Sequence, residues 1–130
     1  MNRIILITII ALCADASAAC AWTGNVAHAE YRACLEAASK GSFAKIEAAE
    51  AWLRKRIADS DDKSEFKKSS LTLLQESASA YRQYRSSQCN FEASTAAGGN
   101  GAGDLRLICQ GELDKNYLVR LVGPHGVLTE

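Results

Sequence analysis

Residues 59–64 of this chain read DSDDKS, and this polar stretch separates two long segments whose apolar residues recur every three or four positions. Such spacing indicates helix, whereas short polar side chains compete for backbone hydrogen bonds and favour a turn. Asp62 or Ser64 can cap the helix that follows. Because two long helices joined by a short turn pack antiparallel, the stretch predicts an all-α fold built on a helical hairpin.

The segment before the turn, residues 26–58, contains no proline and is rich in alanine, glutamate, lysine and arginine. Gly41-Ser42 interrupts it at a cost of about 1 kcal/mol relative to alanine. The apolar face resumes in the same direction, so we predict one long helix rather than two. The residues predicted to face inward are Tyr31, Cys34, Leu35, Ala38, Ile46, Ala49, Leu53 and Ile57.

After the turn, the pattern predicts a second long helix over residues 65–97, ended by AGGNGAG at 97–103, where glycine makes helix costly. Asp104 can cap a shorter third helix over 105–122, and residues 123–130 are predicted to form a flexible tail. The domain at 20–122 is therefore expected to be a small antiparallel helical bundle. The inward residues are predicted to be Phe66, Leu73, Leu74, Ala78, Tyr81, Tyr84, Gln88 and Phe91 in the second helix, and Leu105, Ile108, Cys109, Leu113, Tyr117 and Leu121 in the third.

The first 19 residues have the pattern of a secretory signal peptide: a positive start, an apolar run over 4–14, and small residues at 16–18. The run is about eleven residues long, whereas a membrane span needs about 20. We predict cleavage after residue 18 or 19 and a periplasmic or secreted protein without a membrane span. An N-terminal anchor helix is one alternative. A lipid anchor at Cys20 is another, although Ser17 stands where such sites normally have a branched apolar residue.

Four cysteines remain after the signal peptide, an even number in a small exported domain. Measured from the turn, Cys34 and Cys89 lie equally far along their helices, and the glycine stretch brings Cys109 back to the same end. We prefer the pairs Cys20–Cys34 and Cys89–Cys109, the second closing a loop of about 20 residues worth roughly 3 kcal/mol. Cys34–Cys89 with Cys20–Cys109 is also geometrically possible.

Charge and motif content exclude several classes of function. The chain carries 15 basic and 15 acidic residues, and loss of residues 1–19 removes one of each, so no cationic surplus exists for nucleic acid. The two histidines, His28 and His125, have no C-x-x-C pair beside them, and oxidation would consume the thiolates that zinc requires. No catalytic constellation of serine, histidine and acid emerges. We therefore predict a protein that is not an enzyme and uses no metal or cofactor.

The glycine stretch is the most distinctive polar feature. Its alternating glycines lack the preceding strand that a phosphate-binding loop requires, so it is either a plain connector or a protruding recognition loop. Glycine would let the backbone enter a narrow cleft. The candidate partner-binding residues are Gly98, Gly99, Asn100, Gly101 and Arg106.

Residues 81–93 read YRQYRSSQCNFEA and are followed by Gly98-Gly99 and Cys109, while residues 30–34 read EYRAC. This combination resembles the LprI-like lysozyme-inhibitor family of exported bacterial domains, although Tyr81 stands where that family usually has tryptophan. The resemblance covers nearly the whole domain and implies a protein partner, possibly lysozyme. The residues interpreted as structural within this segment are Tyr81, Tyr84, Arg85 and Phe91.

A lysozyme-type cleft contains two carboxylates, so a blocking element would bring a cation or a hydrogen-bond donor into it. Asn100, supported by Arg85 or Arg106, is the candidate element. Arg85 is also predicted to be a hydrogen-bonded staple near the disulfides. The alternative function is an interaction module of the cell envelope, an immunity or assembly factor without a glycosidase target.

Overall fold

The computed structural model describes residues 20–123, which form three helices: α1 at His28–Asp59, α2 at Ser64–Ser94 and α3 at Ala102–Val122. The predicted all-α fold of two long helices and a shorter third is confirmed. The predicted signal peptide at 1–19 and tail residues 124–130 lie outside the described residues. Within residues 20–123, no helix is long and apolar enough to cross a membrane.

The helix boundaries follow local backbone chemistry. α1 runs without interruption through Gly41, as predicted. α2 ends at Ser94, three residues before the predicted end, because Ala97 and Gly98 adopt positive φ angles of 49° and 77° that a right-handed helix cannot contain.

The predicted helix caps are wrong. The residue before α2 is Lys63, which makes no side-chain cap hydrogen bond, and the Asp62 carboxylate accepts instead from Ser60 Oγ at 3.0 Å within the turn. α3 begins at Ala102, so Asp104 lies inside its first turn, where it binds side chains of α1. Both carboxylates thus have tertiary or turn partners in place of the backbone amides expected from the sequence.

The third helix lies against both arms of the α1–α2 hairpin, and these two contacts are more extensive than the one between α1 and α2. Paired residue numbers rise together between α1 and α3, from Arg32–Asp104 to Ser42–Asp114, so these helices run parallel. Between α2 and α3, one residue number rises as the other falls, as in Arg85–Asp114 and Asn90–Arg106, so these helices run antiparallel. α3 therefore covers only the half of the hairpin that is remote from the turn.

Both preferred disulfides are confirmed. Cys20 pairs with Cys34 at a Cα–Cα separation of 5.8 Å, and Cys89 pairs with Cys109 at 5.5 Å. The first fixes the N-terminal arm to α1, and the second fixes α2 to α3.

The core is thin, as expected for a small domain. Tyr81 stacks on Tyr117 with ring centroids 3.8 Å apart at its centre. The buried apolar residues are Leu35, Ile46, Ala49, Ala78, Tyr81, Cys89, Ala93 and Cys109, and the buried polar residues are Ser39, Glu50, Asp104 and Asp114. With one disulfide and four polar side chains buried beside so few apolar ones, bridges and ion pairs make up a large part of the stability.

Several predicted inward residues are exposed. Tyr84 and Phe91, predicted to be structural, are 54% and 64% exposed, and Phe66 and Leu73 are 59% and 60% exposed. The buried face of α2 passes through Ala78, Tyr81, Arg85 and Cys89, and these four exposed residues lie about 130° around the helix from it at 3.6 residues per turn. Leu105 and Ile108 of α3 are also exposed, at 39% and 37%. Periodicity identified the helix but assigned its apolar residues to one face, whereas α2 has two.

Candidate functional site

A buried carboxylate joins the three helices at the level of the core. Asp114 of α3 is 1% exposed and accepts two hydrogen bonds from Arg85 of α2, from Nε at 2.7 Å and from Nη2 at 2.9 Å. It also accepts from Tyr81 Oη at 2.5 Å and from Ser42 Oγ of α1 at 2.6 Å. Four donors compensate the desolvation of this charge, which would otherwise be very costly to bury.

Arg85 thus links α2 to α3 through hydrogen bonds, the position that the sequence analysis predicted for a staple. Its guanidinium donates in addition to Ser39 Oγ at 3.2 Å and lies 4.9 Å from the ring centroid of Phe43. Burial, followed by the hydrogen bond to Asp114, raises the pKa of Tyr81, so this phenol stays a donor at any ordinary pH. Because Arg85 is engaged by Asp114, it does not supply a cation for a partner, and that part of the hypothesis is wrong.

A second buried ion pair lies nearer the turn. Glu50 of α1 is 2% exposed and receives both arms of the Arg82 guanidinium, at 2.9 Å and 2.8 Å. Arg82 also lies 5.3 Å from the centroid of the Phe43 ring, which is thus approached by two guanidinium groups. The sequence analysis did not identify Glu50 or Asp114, because an acid on a helix gives no local sign that a distant arginine will reach it.

The glycine stretch forms a wound connector rather than an open loop. Consecutive short-range backbone bonds, such as Gly99 N to Ala96 O at 2.9 Å and Ala102 N to Gly99 O at 3.0 Å, carry the chain from α2 into α3. Gly98 has φ of 77°, which explains glycine at that position. The connector is anchored by the Cys89–Cys109 bridge, and Gly98, Gly99, Asn100 and Gly101 are all exposed on it.

α1 holds this connector through Asp104. The Asp104 carboxylate accepts from Arg32 Nε and lies 2.7 Å from His28 Nε2, while Arg32 Nη2 donates to the Asn100 carbonyl at 3.2 Å. Burial alone would raise the pKa of Asp104, but the hydrogen bonds from His28 and Arg32 and the charge of Arg32 together hold the pKa below its usual value. Asp104 is therefore a carboxylate at neutral pH.

The close approach of Arg32 explains one further glycine. A Cβ placed on Gly103 would lie 2.7 Å from Arg32 Nη2, inside the contact distance of the two groups. The same test finds open space around Gly101. A side chain at Gly103 would therefore displace the Arg32 guanidinium from Asp104 and Asn100, whereas Gly101 can carry a side chain without a clash.

An aromatic residue completes the exposed surface beside the connector. Trp22, in the arm fixed by Cys20–Cys34, is 54% exposed and makes edge contacts with Tyr31 at 5.4 Å and His28 at 6.0 Å between ring centroids. These rings, Asn100, Gly101, Asp104 and Leu105 line one shallow, open depression. On the other side of the connector, Arg106 is exposed and donates to Asn90 Oδ1 at 3.0 Å. We call this surface the loop pole, made of Trp22, His28, Tyr31, Arg32, residues 98–101, Asp104, Leu105 and Arg106.

The family described as Lysozyme inhibitor LprI matches residues 19–121, most of the chain. The chain belongs to the LprI family. No curated protein and no solved structure matches it. The resemblance seen in the sequence is therefore confirmed, and the LprI match includes both disulfides, the buried Asp114 and the whole loop pole.

Four of the five candidate partner-binding residues of this LprI member, Gly98–Gly101, lie together on the connector, and Arg106 lies on α3, bonded to Asn90 of α2. The sequence analysis missed Trp22, Arg32 and Asp104 as members of the same surface. Arg32 had a usable signal, because it lies between an aromatic residue and Cys34 at the end of the bundle to which the bridges assign the connector. Trp22 could not be placed without the Cys20–Cys34 pairing, on which its position depends.

Proposed function

We propose that this protein is exported from the cytosol and inhibits a lysozyme-type cell-wall glycosidase by binding it through the loop pole, thereby protecting the envelope. The description of its family and the two disulfides, which form in oxidising compartments, support this proposal. The protein acts by occupying the enzyme and catalyses no reaction of its own.

The observation that carries the proposal is an exposed recognition surface held in place before any partner arrives. Trp22 is exposed, yet its arm is fixed by a disulfide and its ring is packed against Tyr31. The connector beside it is fixed by the second disulfide and by the Arg32 bond to Asn100. Exposed tryptophan and arginine are typical of binding hot spots, and a surface that is already ordered loses little entropy on association.

The charges of the loop pole suit a cleft that contains carboxylates. The charge of Arg32 is balanced by Asp104, whereas Arg106 has a neutral amide as its hydrogen-bond partner. Among residues 20–123, no carboxylate lies within ion-pair distance of Arg106. We propose that Arg106 pairs with a cleft carboxylate, that Asn100 donates a hydrogen bond from its amide, and that Trp22 packs on the rim.

The test is inhibition of several purified lysozymes in a cell-wall clearing assay by the mature protein and four variants. Trp22→Ala and Arg106→Ala should each weaken inhibition at least about tenfold, the effect of removing a hot-spot residue. The matched controls are Trp52→Ala near the turn and Arg120→Ala at the far end of α3, which should inhibit as the wild type does. Equal inhibition by all four variants would place the site elsewhere.

A second comparison uses glycine. Gly101→Leu should keep the helical circular dichroism spectrum and lose inhibition, because its side chain enters open space at the centre of the loop pole. Gly41→Leu, which also enters open space but lies within α1, should keep both. If no lysozyme is inhibited by the wild type, the envelope interaction module becomes the better description, and a pull-down from envelope extract would identify its partner.

A further inference from the structure

The outer face of α2 carries four large apolar side chains that no part of the described chain covers. Phe66, Leu73, Tyr84 and Phe91 are 54% to 64% exposed, in a domain whose buried core is thin. They lie on one side of the helix, away from its buried face, and Ser77 at the edge of this side reaches Tyr117 of α3 at 3.5 Å. A contiguous exposed apolar surface of this kind marks an interaction site.

The positions that lie between these four on the same side of the helix carry small, uncharged residues. Together with the four they complete a regular pattern. Starting at Phe66, eight positions follow one another at alternating steps of four and three, which is the heptad spacing of a helix–helix seam. None of the eight is charged and all are exposed. We call them the α2 seam: Phe66, Ser70, Leu73, Ser77, Ala80, Tyr84, Ser87 and Phe91.

Two charged side chains of α2 point away from this seam. Arg82 and Arg85, two of the four basic residues of α2, turn inward to the buried Glu50 and Asp114. Three of the four large side chains on the seam are aromatic, and aromatic residues are enriched in protein interfaces.

The pattern of small and large residues along the seam is symmetric about its midpoint. From the midpoint between Ser77 and Ala80, the order in either direction is small, large, small, large, so that in an antiparallel pair large residues meet large ones and small residues meet small ones. In an antiparallel pair of α2 helices, Phe66 would meet the partner copy's Phe91, and Leu73 would meet its Tyr84. The small residues would meet as Ser70 with Ser87 and Ser77 with Ala80. A two-fold interface requires such self-complementarity, because residue i contacts j while j contacts i.

We propose that a second copy of this chain docks on the α2 seam, forming an antiparallel two-fold dimer. The flanking residues agree with that pairing, since Glu76 would lie beside Gln83 and Lys67 beside Gln88 of the partner copy, and no like charges would face each other. A seam from residue 66 to 91 is about 38 Å long. With about half of each large side chain exposed, two copies would bury on the order of 1,200 Å², the lower end of specific interfaces.

The dimer leaves the proposed lysozyme site free. Phe91 lies near the connector and Phe66 near the turn, so antiparallel pairing puts the two loop poles at opposite ends of the dimer. Each dimer would therefore present two loop poles, both accessible. The dimer does not depend on the lysozyme proposal, and its test uses no lysozyme.

The first test is the molar mass of the mature protein by light scattering and sedimentation between about 1 and 200 μM, because an interface of this size is expected to be of micromolar strength. The wild type should shift from monomer to dimer over that range. Leu73→Lys and Tyr84→Lys should remain monomeric with unchanged helix content. Val119→Lys, which alters an exposed apolar residue of α3 outside the seam, should still dimerise. A wild type that is monomeric throughout would overturn the proposal.

The second test fixes the geometry and does not depend on charged variants folding. Ser70→Cys and Ser87→Cys proteins, mixed under mild oxidation, should form a disulfide between the two, located by peptide mapping. Each alone should form no such dimer, because in an antiparallel pair identical positions lie about 25 Å apart at 1.5 Å per residue. Dimers from Ser70→Cys alone would indicate parallel pairing and contradict the proposed symmetry.

Discussion

The two halves of the bundle are built on different physics. Near the connector, three helices surround buried Asp114 and Asp104, and two disulfides lie among them. Near the turn, only α1 and α2 remain, and the ion pair there, Lys55–Asp59, is exposed at both ends. The comparison shows what α3 adds: it supplies Asp104 and Asp114 as buried partners for Arg32 of α1 and Arg85 of α2. Glu50 of α1 is buried against Arg82 of α2 without a residue of α3, whereas the exposed Lys55–Asp59 pair contributes little.

The largest expected difference in stability between the two halves is revealed by Arg85. Arg85→Ala leaves the Asp114 carboxylate buried without its main partner and should cost about 3 to 5 kcal/mol. For a domain of this size that corresponds to a fall in Tm of at least about 12 °C. The matched change near the turn, Arg56→Ala, removes an exposed guanidinium stacked 5.0 Å from Trp52 and should cost about 1 kcal/mol or less. Thermal melts by circular dichroism measure both, and equal shifts would contradict the comparison.

Removing each disulfide should also have a different effect on the free energy of unfolding, and this difference should be smaller than that between the two arginine variants. Replacing Cys89 and Cys109 together by alanine frees α3 from α2 and should cost about 3 kcal/mol. Replacing Cys20 and Cys34 frees only the N-terminal arm, so the helices should unfold with nearly the wild-type midpoint while Trp22 fluorescence loses its folded environment. Urea titrations followed by circular dichroism and by fluorescence separate the two effects. If the Cys20–Cys34 pair proved the more stabilising, the arm would have to be part of the core.

The smallest effect concerns pH. The pKa of Asp104 is lowered in the folded state, so its contribution is present above the unfolded pKa of about 4 and is lost as the pH falls through the folded value. Asp104→Asn should therefore cost about 1 kcal/mol at pH 7 and nothing at the acid end of the range. The control variant is Asp59→Asn, which changes an exposed carboxylate near the turn. Urea midpoints between pH 2.5 and 7 give the comparison. Parallel curves for wild type and Asp104→Asn would disprove the assignment.

Local chemistry accounts for what could be predicted. The DSDDKS turn, the spacing of apolar residues and the glycine stretch gave three helices and their order, because turns and helices depend mainly on residues a few positions apart. The clustering of the four cysteines at one end also followed, and of the two pairings that this left possible the structure has the preferred one. The sequence pattern of residues 81–93 indicated the family, and the family match over residues 19–121 confirms it.

What the sequence left undecided depends on residues far apart in the chain. The partners of Asp114, Asp104 and Glu50 lie 29 to 76 positions away. Those of Asp114 and Asp104 depend on the side from which α3 approaches, and that of Glu50 depends on how α1 packs against α2. The same approach decided which apolar face of α2 is buried: Tyr81 became core, whereas Tyr84, three positions on, stayed in solvent. The sequence by itself determined the helices, the turn and the end of the bundle at which the cysteines meet. Only the tertiary structure decided which charges are paired and which apolar face remains for a partner, because both depend on how a third helix docks on a hairpin that offers it more than one side.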